Sequence, residues 1–581
     1  MMKKICLILS LVLALSMLGA CKTTSTTENP SSDSDLISSQ VEGTDDGSSE
    51  EETEEPFDDG DDLIDDDPLD DEKPVEDPYA DVWVHDLKVH NGEDPISTRY
   101  RGMSATIYHA FGFMEDEESG RVYTKKMMDT ELDRLENTGI RYARTRFPSD
   151  WMWNNSTGWD YTRPRFGYFC NYANALQERD VSVVLQVGWH LGHITRMDNS
   201  NISDISYLSG DGADRYGESV GHESDLAGKS AEDQRMLKGA YRYGYWLSKT
   251  MRELRARGIN NVDYFSYWVE PSNGYSGSPA GHANREYVMI CDALIEKLGE
   301  EGIADTVQHV GPNETSATGD SLLKYCVDNA PDLFDVYSCH FYPSLTLSHN
   351  DVLYEIVKDG YSSYKNHMKS AGIWGKKEFW VDEFDVSIEG MNSQVGDPWK
   401  GLQVAVGGII AQQLGINNVL YWQLFDQLWT DNTSDGGEWS NGIHVSGCIP
   451  SLFESAIPQE EYYTQGLFMR YNGYKNGTVY RTNVEDLANE FTSMYVGAVQ
   501  LEDGSWTITV INLNTDDATF TVTFDEKINQ TLYRHLEGAT TVAPNAEAKL
   551  ADADKTYVKV ADKFIDTIPG GSIAVYTGVK G

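Results

Sequence analysis

The sequence has few cysteines and few basic residues, and each scarcity excludes a class of protein. Five of its seven cysteines lie beyond the first 21 residues, and their odd number and scattered spacing match neither a disulfide framework nor a zinc motif. We therefore expect buried free thiols. The chain has 46 Lys and Arg against 93 Asp and Glu, a net charge of −47. This acidic excess argues against nucleic acid as a partner.

The N-terminus has the features of a secretory signal. Lys3 and Lys4 precede an apolar run, Ile5–Leu18, that is too short to span a bilayer. The run ends in Leu18-Gly19-Ala20-Cys21, which resembles a bacterial lipobox. The resemblance implies that residues 1–20 are removed and that the Cys21 thiol is acylated. We expect an extracytoplasmic protein that is lipid-anchored to a bacterial membrane, since two or more acyl chains on one residue hold stably.

An acidic segment follows the signal. Between Glu28 and Asp77 there are 23 acidic side chains against one lysine, Lys73. Such a segment cannot bury enough apolar surface to offset the entropy of ordering, and its charges repel one another. The composition predicts a disordered, extended tether over residues 21–78.

From about Tyr100 to Tyr474 short β-branched or aromatic runs alternate with longer segments of helical period. This alternation predicts parallel strands with helical crossovers. The eight predicted strands are Arg101–Ile107, Gly139–Arg146, Val181–Val187, Val262–Val269, Thr306–Gly311, Phe334–Phe341, Lys377–Phe384 and Val419–Phe425. The clearest predicted helices are Lys125–Asn137, Ala231–Arg257, Tyr287–Leu298 and Leu402–Leu414. Eight such units predict a (β/α)8 TIM barrel over residues 79–478, with its chemistry at the C-terminal ends of the strands.

The last hundred residues have a different pattern. Segments of alternating apolar and polar residues are joined by Asn, Asp and Gly, which predicts an all-β sandwich over residues 479–581. The segments are Ser505–Asn514, Ala518–Phe524, Thr556–Val560 and Ser572–Tyr576. We also expect Val82–Val89 to add a strand to this sandwich.

Two glutamates stand where an apolar strand ends. Predicted strand four runs through Tyr264-Phe-Ser-Tyr-Trp-Val into Glu270 and Pro271, and predicted strand seven runs through Phe379-Trp-Val-Asp into Glu383. Hydrolysis of a glycosidic bond with retention needs two carboxyl groups about 5–5.5 Å apart, one protonated and one ionised. On a barrel, two such groups come from the tops of different strands.

These motifs resemble the clan of retaining glycosidases that has its acid/base on strand four and its nucleophile on strand seven. The clan pattern has Glu-Pro after strand four and an apolar-x-Glu-Phe segment at strand seven. The resemblance implies that Glu270 is the acid/base and Glu383 the nucleophile. The segment Tyr462–Tyr471, leading into a sandwich, is similar to family 39 β-xylosidases and their relatives. The resemblance covers about residues 80–581.

Further clan positions imply substrate-binding or supporting residues. Arg144 matches the strand-two arginine that keeps the nucleophile ionised, and Trp422 matches the strand-eight tryptophan beneath the sugar. In Cys339-His-Phe-Tyr-Pro343, His340 and Tyr342 match a strand-six motif whose hydroxyl bonds the nucleophile. Asp382 and Asp385 flank Glu383, and we expect them to point away from the site as structural residues.

Aromatic faces stack on the C–H surfaces of sugars, and we expect Trp189, after strand three, to line the site. One position departs from the clan. The asparagine that usually precedes the acid/base and binds the sugar 2-hydroxyl is Val269 here. His190, Asn273 or Asn313 could replace it, and we expect Asn273 to bind substrate.

An Asn-Glu pair does occur at Asn313-Glu314, so Glu314 is the acid/base if strand four is misassigned; the strand count favours Glu270.

The predicted activity is that of a retaining O-glycosyl hydrolase acting on β-linked glycans such as plant cell-wall polysaccharides. We expect no cofactor and no obligate protein partner. His190 and His193 have no carboxylate beside them, so no metal site is predicted. A non-catalytic, surface-displayed glycan-binding protein on the same barrel is the alternative that Val269 favours. An inverting hydrolase would need its carboxyl groups about 6.5 Å or more apart.

Overall fold

The structure is a computed structural model that describes most of the chain after residue 82. The described residues are 83–107, 124–147, 153–154, 158–187, 222, 226–271, 282–314, 322–343, 353–386, 396–425, 427–428, 439–440, 443–444, 447–450 and 457–579. All of them belong to one unit, residues 76–581. The predicted signal, Cys21 and the acidic tether lie outside the described residues. Within these ranges no helix is both long and apolar enough to cross a membrane.

Eight parallel strands form a closed barrel, because the last of them pairs with the first in register Asn418 to Gly102. The eight strands predicted from the sequence are confirmed, with ends that differ by a few residues. They are β1 Ser97–Thr106, β2 Tyr142–Arg146, β3 Ser182–Gln186, β4 Val262–Ser266, β5 Gln308–Glu314, β6 Val336–Phe341, β7 Glu378–Phe384 and β8 Asn418–Tyr421.

A helix follows each barrel strand. They are α1 Lys125–Asn137, α2 Pro164–Glu178, α3 Ala231–Ala256, α4 His282–Glu300, α5 Leu322–Asn329, α6 Leu353–Ser370, α7 Pro398–Leu414 and α8 Glu460–Asn472. The boundaries follow local chemistry. Thr124 caps the start of α1 by accepting a hydrogen bond of 3.2 Å from Met127 N. Just after α1, Gly139 has φ +64°, and a Cβ there would meet Arg470 O at 2.8 Å.

The barrel interior is filled near the N-terminal ends of its strands. One buried side chain from each of seven strands forms a layer there: Tyr142, Val184, Tyr264, Val310, Val336, Trp380 and Leu420. Beside this layer Arg101 of β1 pairs with Glu378 of β7, with Nη2 2.6 Å from Oε1. This end of the barrel is therefore closed.

The C-terminal residues form two further sheets around their own core. The strands are β9 Gly473–Tyr480, β10 Met494–Leu501, β11 Trp506–Asn512, β12 Ala518–Phe524, β13 Gln530–Gly538, β14 Ala553–Val560, β15 Lys563–Ile568 and β16 Ser572–Thr577, with a short helix α9 at Val484–Asn489. One sheet has the order β9-β10-β11-β16-β13-β14 and joins the barrel through pairing of β9 with β1. The other contains β12, β15 and the strand Val84–Val89, which pairs with β12 as expected. The predicted barrel with a C-terminal sandwich is confirmed.

Candidate active site

Glu270 and Glu383 meet at the C-terminal ends of β4 and β7. Nδ1 of His340, on β6, lies 3.0 Å from Glu270 Oε1 and 3.1 Å from Glu383 Oε2. One carboxylate oxygen of each glutamate and a His340 ring nitrogen all lie within 4.8 Å of one another. The Glu270 side chain is 23% exposed and that of Glu383 is 4% exposed. The two acids therefore form a close pair, with Glu270 on the more open side.

Two further side chains hold Glu383. Arg144 Nη1, from β2, donates to Oε1 at 2.5 Å, and the Tyr342 hydroxyl, just after β6, donates to Oε2 at 2.7 Å. Burial raises the pKa of Tyr342 well above its ordinary value, and the charge of Glu383 raises it further, so the hydroxyl keeps its proton. Each contact donates a hydrogen bond to one oxygen of Glu383, and the one from Arg144 is assisted by the guanidinium charge.

His340 is a fully buried link between the two acids, and its predicted role in binding substrate stays a prediction. Burial by itself lowers the pKa of His340, but the carboxylates of Glu383, Glu270 and Asp382 raise it above its ordinary value overall. A protonated ring donates from Nδ1 to the glutamates. The structure thus brings together five residues singled out in the sequence: Arg144, Glu270, His340, Tyr342 and Glu383.

A β-bulge in β7 changes the position expected for Asp382. Val381 pairs with Cys339 and Glu383 with the next residue, His340, so β7 has one extra residue at this point. Strict alternation would place Asp382 and Glu383 on opposite faces. Instead Asp382 is fully buried beside Arg144 and His340, the residues that also contact Glu383. Its Oδ2 lies 3.9 Å from Arg144 Nε, and its Oδ1 lies 3.9 Å from His340 Nε2. The expectation that Asp382 points away from the site was wrong.

Asp385 has a structural setting, as expected. Its carboxylate lies 2.9 Å from Lys400 Nζ of α7, which also lies 3.2 Å from Glu461 of α8. Tyr421 donates to Glu461 at 2.7 Å. Burial raises the pKa of Asp385 to about 6, although Lys400 opposes this. Sequence patterns did not indicate Lys400 or Glu461, because their pairing joins two helices far apart in the chain.

The alternative acid/base, Glu314, is engaged elsewhere. Its Oε2 accepts a hydrogen bond of 2.6 Å from the backbone N–H of Leu322 at the start of α5, and the side chain is buried. Asn313 is also committed, because Nδ2 donates to Tyr267 O at 2.9 Å and Oδ1 accepts from Ser266 at 3.0 Å. Both side chains are therefore held by hydrogen bonds to neighbouring elements of the barrel.

The remaining predicted site residues divide into two groups. Trp422 directly follows β8, is partly exposed and donates from its backbone to Phe384 O at 2.9 Å. Trp189 and Asn273 lie outside the described residues, as does His190.

One oxygen of Glu270, one of Glu383 and a ring nitrogen of His340 are close enough together to act as ligands of one metal ion. The guanidinium of Arg144 already supplies a positive charge at Glu383. This contact favours an acid–base group over a metal site.

Comparison with known proteins adds the following. No protein-family model matches the chain, and no curated protein has significant sequence similarity to it. Solved structures are similar in fold. A GH30 endoxylanase from Clostridium papyrosolvens has a TM-score of 0.53 and 14% identity, with 85% of this chain and 99% of that chain covered. A GH51 arabinofuranosidase from Xanthomonas axonopodis pv. citri has a TM-score of 0.54 and 13% identity over the same shares. A GH39 β-xylosidase from Caulobacter crescentus has a TM-score of 0.51 and 12% identity, again covering 85% and 99%. At these identities the likeness establishes the fold.

Proposed function

We propose that this protein is a retaining glycoside hydrolase that cleaves β-linked glycans by double displacement. The observation that carries the proposal is the close pair of Glu270 and Glu383, with oxygens within 4.8 Å, at the C-terminal ends of β4 and β7. Retaining enzymes hold their carboxyl groups about 5–5.5 Å apart, whereas inverting enzymes need about 6.5–9.5 Å to admit a water molecule. The spacing supports retention.

In the proposed mechanism Glu383 attacks the anomeric carbon while Glu270 protonates the leaving oxygen. Arg144 and Tyr342 suit Glu383 to this role, because both stabilise its ionised form. The negative charge on Glu383 favours the protonated form of Glu270 before the bond is cleaved. Once the glycosyl-enzyme has formed, that charge is gone. Glu270 then ionises more readily and serves as the base for the attacking water.

The substrate class is proposed from the fold relatives and the sequence motifs. The similar solved structures include an endoxylanase, a β-xylosidase and an arabinofuranosidase. We propose plant cell-wall glycans containing pentose as the first class to test. Val269 stands where the clan places its 2-hydroxyl ligand, and Asn313 is committed to the backbone, so the 2-hydroxyl contact is proposed to come from another residue, such as Asn273. We also propose that acylated Cys21 holds the enzyme on the outer side of a bacterial membrane.

The test is chemical rescue with azide on an aryl glycoside that the wild-type enzyme cleaves, chosen from a panel of aryl glycosides and cell-wall polysaccharides. Glu383→Gly should be inactive alone and should form a glycosyl azide of inverted anomeric configuration. Glu270→Ala should form the azide of retained configuration, because the covalent intermediate still forms. Glu314→Gln is the matched control and should keep wild-type activity.

Wild-type activity of Glu383→Gly without azide would overturn the assignment. Binding of polysaccharide with no hydrolysis across the whole panel would instead support the non-catalytic glycan-binding alternative.

A further inference from the structure

Asp382 is fully buried next to Glu383, and among the described residues no group donates a hydrogen bond to its carboxylate. Within the described part of the chain neither of its carboxylate oxygens has a hydrogen-bond partner, and neither does His340 Nε2. Its closest charged neighbours are His340 Nε2 and Arg144 Nε, each at 3.9 Å. At that distance the interaction is between charges and does not depend on a shared proton.

Titratable groups on β2, β6, β7 and α6 lie near Asp382. Arg144 faces it from β2 and His340 from β6, while Glu383 follows it on β7. Cys339 of β6 and Tyr364 of α6 also lie within range of its charge. Burial raises the pKa of both of these groups, so they stay neutral, and the charged partners are Arg144, His340 and Glu383.

The balance of charge in this buried group depends on Asp382. With Arg144 and His340 protonated and Glu383 ionised, one positive charge is left over. If Asp382 is ionised, the group is neutral while Glu270 keeps its proton, which is the state that acid catalysis requires. Without the negative charge of Asp382, this group of side chains is neutral only when Glu270 ionises or His340 loses a proton.

We propose that Asp382 is a positioning residue whose carboxylate holds His340 protonated from the side opposite Glu270 and Glu383, so that Nδ1–H is directed at both. This inference rests on the proposed function for its effect on catalysis, but its effect on His340 is independent of any substrate. Burial and the charge of Glu383 raise the pKa of Asp382 above its ordinary value overall, while His340 and Arg144 oppose this, so its ionised form depends on these two neighbours.

The first test is the pH profile of kcat/KM for Asp382→Asn, which keeps the shape and removes the charge. Removal of a negative charge disfavours the protonated form of every nearby group, so both limbs should move to lower pH, by roughly 1–3 units. Asp263→Asn is the matched control on β4, where the carboxylate accepts a hydrogen bond of 2.6 Å from Ser182; its profile should not move. A profile for Asp382→Asn that coincides with the wild type, in a folded protein, would show that Asp382 is uncharged and would overturn the proposal.

The second test needs no activity. In protein labelled with 15N-histidine, the His340 signal is identified as the one lost in His340→Gln. In the wild type its shifts should be those of an imidazolium at pH 6.5, and in Asp382→Asn it should titrate at lower pH. A neutral His340 in the wild type at pH 6.5 would overturn the proposal even if Asp382→Asn fails to fold. If His340 is an imidazolium at pH 6.5 and titrates at lower pH in Asp382→Asn, the inference about Asp382 is supported. If the protein then hydrolyses no substrate, that result counts against the proposed function and not against the inference.

Discussion

The hydroxyl of Tyr342 donates a hydrogen bond of 2.7 Å to Oε2 of Glu383, the oxygen that also faces His340. The contact joins the residue just after β6 to the end of β7. It fixes the orientation of a carboxylate that, among the described residues, is also held by Arg144 on Oε1 and by the His340 imidazole.

Tyr342→Phe should lower kcat/KM by about 10- to 100-fold, because a hydrogen bond to a charged group contributes about 1.5–3 kcal/mol. The measurement is steady-state kinetics on an aryl glycoside. Tyr361→Phe is the control, since the buried Tyr361 hydroxyl has no hydrogen-bond partner within the described residues. Equal losses in the two variants would mean that the hydroxyl contact with Glu383 does not matter.

Lys400→Met should destabilise the fold by about 3–5 kcal/mol, because it leaves Asp385 and Glu461 buried without their cation. The free energy of unfolding in urea measures this. The loss should be smaller at pH 5 than at pH 8, since protonation removes the unpaired charge of Asp385. Lys125→Met, whose pair with Asp129 is exposed, should cost no more than about 0.5 kcal/mol.

The raised pKa of His340 predicts a pH-dependent contribution to stability. The folded state holds this proton more tightly than the unfolded state, so the contribution is complete below pH 6.5 and is lost as pH rises through the folded pKa. The free energy of unfolding of the wild type should decrease from pH 6 to pH 8, and that of His340→Gln should lack this decrease.

For His309, whose pKa is lowered by burial, the sign is opposite. The free energy of unfolding rises with pH up to 6.5, and His309→Gln should remove that rise.

Cys21→Ser should move the protein from the membrane fraction to the soluble extracytoplasmic fraction of a bacterial host, because serine has no thiol to carry the acyl chains that would hold the protein at the membrane. Fractionation and mass spectrometry of the mature N-terminus measure this. Cys6→Ser leaves Leu18–Cys21 intact and should stay membrane-bound. Membrane attachment of Cys21→Ser would contradict the lipid anchor.

The sequence by itself determined the order of elements and the strands that carry the site. Period-two and helical patterns are local, so β4 and β7 could be recognised together with the glutamates at their ends. Arg144, His340 and Tyr342 were identified through the resemblance to the glycosidase clan, because each stands at a clan position relative to a strand end. The free, buried state of the five later cysteines also followed from their number and spacing.

Tertiary structure alone decided the position of Asp382 and the hydrogen bonding of Glu314. Alternation along β7 predicts opposite faces for Asp382 and Glu383, but a bulge is defined by the register with neighbouring strands, which no local pattern contains. Glu314 has the same local setting as a catalytic acid, and only the approach of α5 shows that it caps a helix. In the same way, one imidazole between two glutamates results from closure of the barrel, which brings the ends of β4, β6 and β7 together.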